Sequence, residues 1–67
     1  MNSDILKGKW EQVKGDVTRH WGLITDNHLT EINGSYSKLL GKVQESYGLA
    51  RDEAERQVAD WEKSRAA

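Results

Sequence analysis

Few residues of this chain have the type and spacing to do chemistry. His20 and His28 are the only histidines, and neither has a second ligand four residues away on its own helical face. Asp26 lies close enough to share a cation with His28, but two ligands do not make a specific metal site. Both histidines are therefore expected at the surface. No serine has a recognisable base partner, and no glycine-rich loop follows a strand to cradle a phosphate. The chain has no cysteine, which excludes disulfides, thiol nucleophiles and cysteine-based zinc sites. Its carboxylates are spread among lysines, as on ordinary solvated helix faces. A core this small also leaves little room for a ligand pocket of the usual size. The expectation is a protein that is not an enzyme, with no catalytic, cofactor-binding or metal residues, no cofactor and no small-molecule substrate.

Trp10, Trp21 and Trp61 are the largest apolar groups. Each falls on a helically spaced apolar stripe, where a tryptophan normally buries a large area. An exposed one would instead mark a partner-binding surface.

The elements that must position these residues are helices. Leu6, Trp10, Val13, Val17 and Trp21 recur at intervals of four and three, one narrow stripe of a helix over about 4–21. Ser3 suits its N-cap, Asp4 its first turn and Gly22 its left-handed end. Thr25 caps a short second helix, about 26–33, with Ile24 closing over Leu29 and with Asn33-Gly34 as a stop. Tyr36, Leu39, Leu40, Val43 and Tyr47 define a third helix over 35–47, ended by Gly48. Ala54, Val58 and Trp61 define a fourth over 51–63. Its start falls between Ala50 and Asp52: Asp52 and Glu55 read as a capping box, Glu53 could serve the same role for an earlier start, and Asp52 with Arg56 forms a pair four residues apart. Residues 64–67 are expected to fray.

GKWEQVKGDVTRHWG (Gly8–Gly22) and GSYSKLLGKVQESYG (Gly34–Gly48) align at an offset of 26 residues. Trp21-Gly22-Leu23 and Tyr47-Gly48-Leu49 then become equivalent turns, each leading to an aspartate, Asp26 or Asp52. A helical hairpin cannot bury its stripe alone, so two must pack face to face. The expected fold is all-α, a four-helix bundle of two orthogonally packed helical hairpins with approximate internal duplication. The whole chain forms one domain, with hairpins at about 4–33 and 35–63. Trp10, Val13, Val17, Trp21, Leu39, Val43, Val58 and Trp61 are its expected core. Gly15 and Gly41 lie almost opposite the stripes, where each costs about 1 kcal/mol against alanine. They are expected on a solvated face, the alternative being close approach by a partner.

Composition bounds the partners. Ten basic and eleven acidic side chains leave a net charge of −1. The balance is local: four positive and three negative in residues 1–22, four and five in 51–67. A nucleic-acid binder normally shows a basic surplus on one face, so nucleic acid is disfavoured. No apolar run is long enough for a secretory signal or a membrane span. A soluble monomer in a reducing cytoplasm is expected, with no membrane partner.

Read as a whole, the chain resembles the CsbD-like family of small bacterial general stress-response proteins. The match runs through Trp10, Lys14-Gly15, Val17, Trp21-Gly22, Thr25-Asp26, Leu29 and Gly34. It continues with Leu39, Gly41-Lys42, Gln44-Glu45, Tyr47-Gly48, Ala54-Glu55, Val58 and Trp61. The resemblance implies two packed helical hairpins, similar to sterile-alpha-motif-like bundles, and raised expression under stress; it supplies no catalytic residue and no ligand. Tyr36, Leu23 and His28 depart from it, standing where a charged residue, a lysine and an acidic residue are common. The expected function is that of a non-enzymatic stress protein, either a soluble protectant or a weak interaction module. An adaptor for an unknown protein is one alternative. The other is a helix–hairpin–helix-like nucleic-acid module that would use the turns at Gly22, Leu23, Gly48 and Leu49.

Overall fold

The computed structural model describes residues 3–66, with side chains from Leu6 to Arg65. All secondary structure among the described residues is helical: α1 (Ser3–His20), α2 (Asp26–Ile32), α3 (Tyr36–Tyr47) and α4 (Arg51–Ala66). The helices form a four-helix bundle in which α3 packs against each of the other three. The Cα radius of gyration is 10.7 Å, close to the roughly 11 Å of a packed chain this long.

Each helix starts and stops for a local reason. Ser3, expected as the N-cap of α1, is its first described helical residue, and its side chain lies outside the described ones. In α2, Thr25 and His28 form a reciprocal capping box: the Thr25 hydroxyl accepts the His28 N–H, and His28 Nδ1 accepts the Thr25 N–H, both at 3.2 Å. The helix ends one residue before the expected boundary because Asn33 has turned left-handed (φ 43°, ψ 44°), its N–H donating to the Leu29 carbonyl. Ser35, expected inside α3, is instead its N-cap, the hydroxyl accepting from Lys38 N–H at 3.3 Å.

Helix α4 corrects three sequence-based expectations. The Asp52–Glu55 capping box does not form: Asp52 Oδ1 accepts from Glu53 N–H at 3.0 Å, and Glu55 pairs with Arg51 at 3.2 Å. Arg56 pairs with Glu53 at 2.6 Å rather than with Asp52, whose short carboxylate is held against the backbone. The helix also passes its expected end at residue 63. The helix continues to Ala66 because Arg65 reaches Asp16 on α1 and lies 5.5 Å over the Trp61 ring. Ala67 lies outside the described residues.

The interior is apolar throughout. Leu6, Trp10, Val13, Val17 and Trp21 come from α1 and its end, with Ile24 and Ile32 from α2 and its approach. Leu39, Leu40 and Val43 come from α3, and Ala54, Val58 and Trp61 from α4. No polar or charged residue among the described ones is buried. Trp21 and Trp61 meet at 5.4 Å between ring centroids, and Trp21 Nε1–H donates to Gln57 Oε1 at 3.2 Å. The one polar atom of this large side chain is thereby satisfied at the edge of the core. Gly34 is buried with φ 82°, and a Cβ there would sit 2.9 Å from the Lys7 Cα. Only glycine lets the α2–α3 turn approach the α1 backbone so closely.

Candidate functional site

The two aromatic–glycine–leucine turns lie side by side. Leu23 N–H donates to the Tyr47 hydroxyl at 3.0 Å, so the aromatic residue of the second turn completes the first. The turns themselves differ. Gly48 takes the left-handed conformation (φ 66°, ψ 37°), and both its own N–H and that of Leu49 donate to the Gln44 carbonyl. That closure folds Leu49 back onto the core, where it is partly buried. Gly22, expected to be left-handed, is not among the positive-φ glycines. Helix α1 ends instead with Trp21 N–H on the Val17 carbonyl and Ile24 N–H on the Trp21 carbonyl. In this turn Ile24 goes inside at 2 % exposure, and Leu23 is left outside at 57 %.

Charges around the turns are mostly already paired. Arg51 and Arg56 are held by Glu55 and Glu53 on their own helix. Arg19 pairs with Asp16, and Lys14 with Glu11. Asp26, in the first turn of α2, faces solvent without a partner among the described residues. A phosphate backbone would meet a free carboxylate and occupied guanidinium groups at these turns.

The histidines lie apart. His20 is exposed, edge-on to the Trp21 ring at 4.5 Å. His28 is occupied in the α2 cap, a role that its position three residues after Thr25 would have indicated had histidine been considered alongside glutamate and glutamine. No three His, Asp or Glu side chains converge on a common point among the described residues. Gly15 is exposed, and a Cβ there would meet only Arg19 Nη2 at 3.8 Å; a Cβ at Gly41 would meet nothing within 4 Å. Neither glycine serves close packing within the chain.

Two features were not anticipated from the residues. An open groove of about 450 Å³ runs between α1 and α2, lined by Trp10, Glu11, Lys14, Asp26, Leu29, Thr30 and Asn33. It exists because Leu29 is only half-buried and α2 is short, so this part of α1 stays partly uncovered. Across α2 and α3, Lys42 bridges Glu31 at 2.7 Å and Glu45 at 3.6 Å. The Lys42 hydrogen bond and charge hold the Glu31 carboxyl below its ordinary range, and Glu31 in turn raises Lys42. At the start of α3, burial pushes the Tyr36 phenol up, reinforced by Glu62 and Glu55.

Comparison with known proteins gives one consistent answer. The family described as CsbD-like matches residues 4–56. The UPF0337 protein YjbJ of Escherichia coli (strain K12) is 48% identical over 62 residues, 92% of this chain and 90% of the relative. The UPF0337 protein pc0632 of Protochlamydia amoebophila is 45% identical over 62 residues, covering 92% and 94%. The UPF0337 protein PA4738 of Pseudomonas aeruginosa is 44% identical over 61 residues, covering 91% and 94%. No solved structure matches.

Proposed function

The chain belongs to the CsbD-like family, and from that premise we propose that it is a non-enzymatic bacterial stress-response protein acting through its surface, as a protectant of other macromolecules. One observation supports this most directly: the polar chemistry of the described residues lies at the surface, largely as acid–base pairs within single helices, around a wholly apolar interior. Such a surface of mixed, locally neutralised charge holds water and resists self-association at high concentration. Several of these pairs need no partner helix, so they would survive partial opening of the bundle. No helix among the described residues is long and apolar enough to cross a membrane, and a monomer in the cytoplasm is part of the same proposal.

The test is to dry or heat a labile enzyme with this protein, using an unrelated helical bundle of equal mass as control. Enzyme recovery should exceed the control's, and equal recovery removes the protectant role. An adaptor role is favoured by a different observation, the two large exposed apolar residues Leu23 and Tyr47 on neighbouring turns. It predicts a stoichiometric partner in pull-downs from stressed cells that is lost on Leu23→Lys.

A further inference from the structure

We propose that Asn33-Gly34 is a self-modifying site, protected in the folded chain and converted to aspartyl and isoaspartyl forms whenever the α2–α3 turn opens. The chemistry needs only the chain and water. The Gly34 backbone nitrogen attacks Asn33 Cγ, a new N–Cγ bond forms, and the Cγ–Nδ2 bond breaks. The proton lost from the Gly34 nitrogen leaves with Nδ2 as ammonia, giving a five-membered cyclic imide. Water then adds to one of the two imide carbonyls. Opening the N–Cγ bond gives aspartate; opening the bond to the original main-chain carbonyl gives isoaspartate, whose main chain runs through Cβ and Cγ. The net change is amide plus water to acid plus ammonia, with nothing oxidised or reduced.

The reacting groups are available. Asn33 is exposed, and its side-chain amide bonds to no described residue. The Gly34 N–H likewise donates to no described residue, and glycine carries no side chain to hinder the approach. Asn33 also lies on the wall of the α1–α2 groove, where water reaches Cγ.

What holds the reaction off is the backbone. At ψ 44° the Gly34 nitrogen is turned to the far side of the Cα–C bond from Cβ, opposite to the arrangement that closes the ring. Swinging it round means breaking the Ser35 N–H to Ile32 carbonyl bond (2.8 Å), which spans the rotated bond. It also means lifting Gly34 off the Lys7 backbone, against which there is no spare room. Conversion therefore tracks the fraction of time the turn is open.

The two products part company on refolding. Aspartate keeps the main chain and tolerates the left-handed conformation. Isoaspartate inserts an extra main-chain carbon beside Gly34, where even a Cβ would lie 2.9 Å from Lys7 Cα. That form cannot rebuild the turn, so each opening carries a chance of permanent loss of the α1 contact.

The test incubates the full chain folded in buffer, and unfolded in urea, at one pH and temperature, and follows residue 33 by peptide mass mapping. Asn27, which precedes His28, is the internal control. Conversion at Asn33 should be slower by about tenfold or more in the folded chain and should exceed that at Asn27 in the unfolded one. Equal rates in the two states, or no excess at Asn33 when unfolded, would overturn the proposal. The isoaspartyl and aspartyl fractions are then separated and returned to buffer. The isoaspartyl fraction should regain less helicity than Asn33→Asp, and equal recovery would overturn the one-way consequence.

Discussion

Trp21-Gly22-Leu23 and Tyr47-Gly48-Leu49 read almost identically and fold differently. In the second turn a left-handed Gly48 brings the very next residue, Leu49, back onto the core. In the first, Gly22 is not left-handed, and burial passes to Ile24 one residue later. The aromatic residues diverge in the same way: Trp21 is 2 % exposed against Trp61, whereas Tyr47 is 37 % exposed and spends its hydroxyl on the Leu23 amide. A glycine after a helix permits the left-handed state without requiring it. Which side chain is larger, and which neighbour offers a surface, decides whether the turn uses that freedom. Ile24 supplies an apolar anchor in the first turn; its counterpart, Ala50, is exposed.

The comparison can be broken most forcefully at the aromatics. Trp21→Ala should cost about 3–5 kcal/mol, much of the stability of so small a domain. Tyr47→Ala should cost roughly 1 kcal/mol, the net value of a typical hydrogen bond. Urea denaturation of both variants checks this, and similar midpoints would mean that the two turns are equivalent after all. Next come the glycines. Gly48→Ala forces a side chain into the left-handed region and should cost about 1–2 kcal/mol. Gly22→Ala meets nothing within 4 Å and should change stability by less than about 0.5 kcal/mol.

Smaller effects sharpen the picture. Tyr47→Phe removes only the acceptor for Leu23 N–H and should lower stability by about 0.5 kcal/mol, the low end for an exposed bond. Amide exchange at Leu23 should rise with it, while exchange at Leu49 stays unchanged. The smallest effect is acid sensitivity away from both turns. Glu31 is held below its ordinary range by Lys42, so its contribution is fully present above the unfolded glutamate pKa and is lost as pH falls through the lower folded value. A carboxyl titration followed by NMR should place the Glu31 midpoint below that of a free glutamate, and Lys42→Met should return it upward.

The helices were legible because a stripe repeating every three or four residues allows no other packing, as Leu6 through Trp21 show. The turns were only half legible. Thr25 and Asn33 declared a start and a stop, but the sequence cannot distinguish a left-handed glycine from an ordinary one, since that choice is made by tertiary contacts. The full length of α4 was not legible for the same reason: Arg65 looks like a solvated tail residue until Asp16, far away in sequence, takes hold of it. The α1–α2 groove was invisible because it depends on how far a short helix reaches across a long one. At Gly34 the sequence signalled a turn, while its contact with Lys7 needed the third dimension.

The Trp21–Trp61 contact also has an optical consequence. Two indoles 5.4 Å apart and tilted by 56° couple their excited states, and an imidazole edge at 4.5 Å from one of them adds a nearby quencher. The natural chain therefore carries its own gauge of whether the end of α1 still touches α4, readable as near-ultraviolet circular dichroism and as emission that rises when the pair separates. The bundle could be followed through drying and rehydration by this signal, with no label attached.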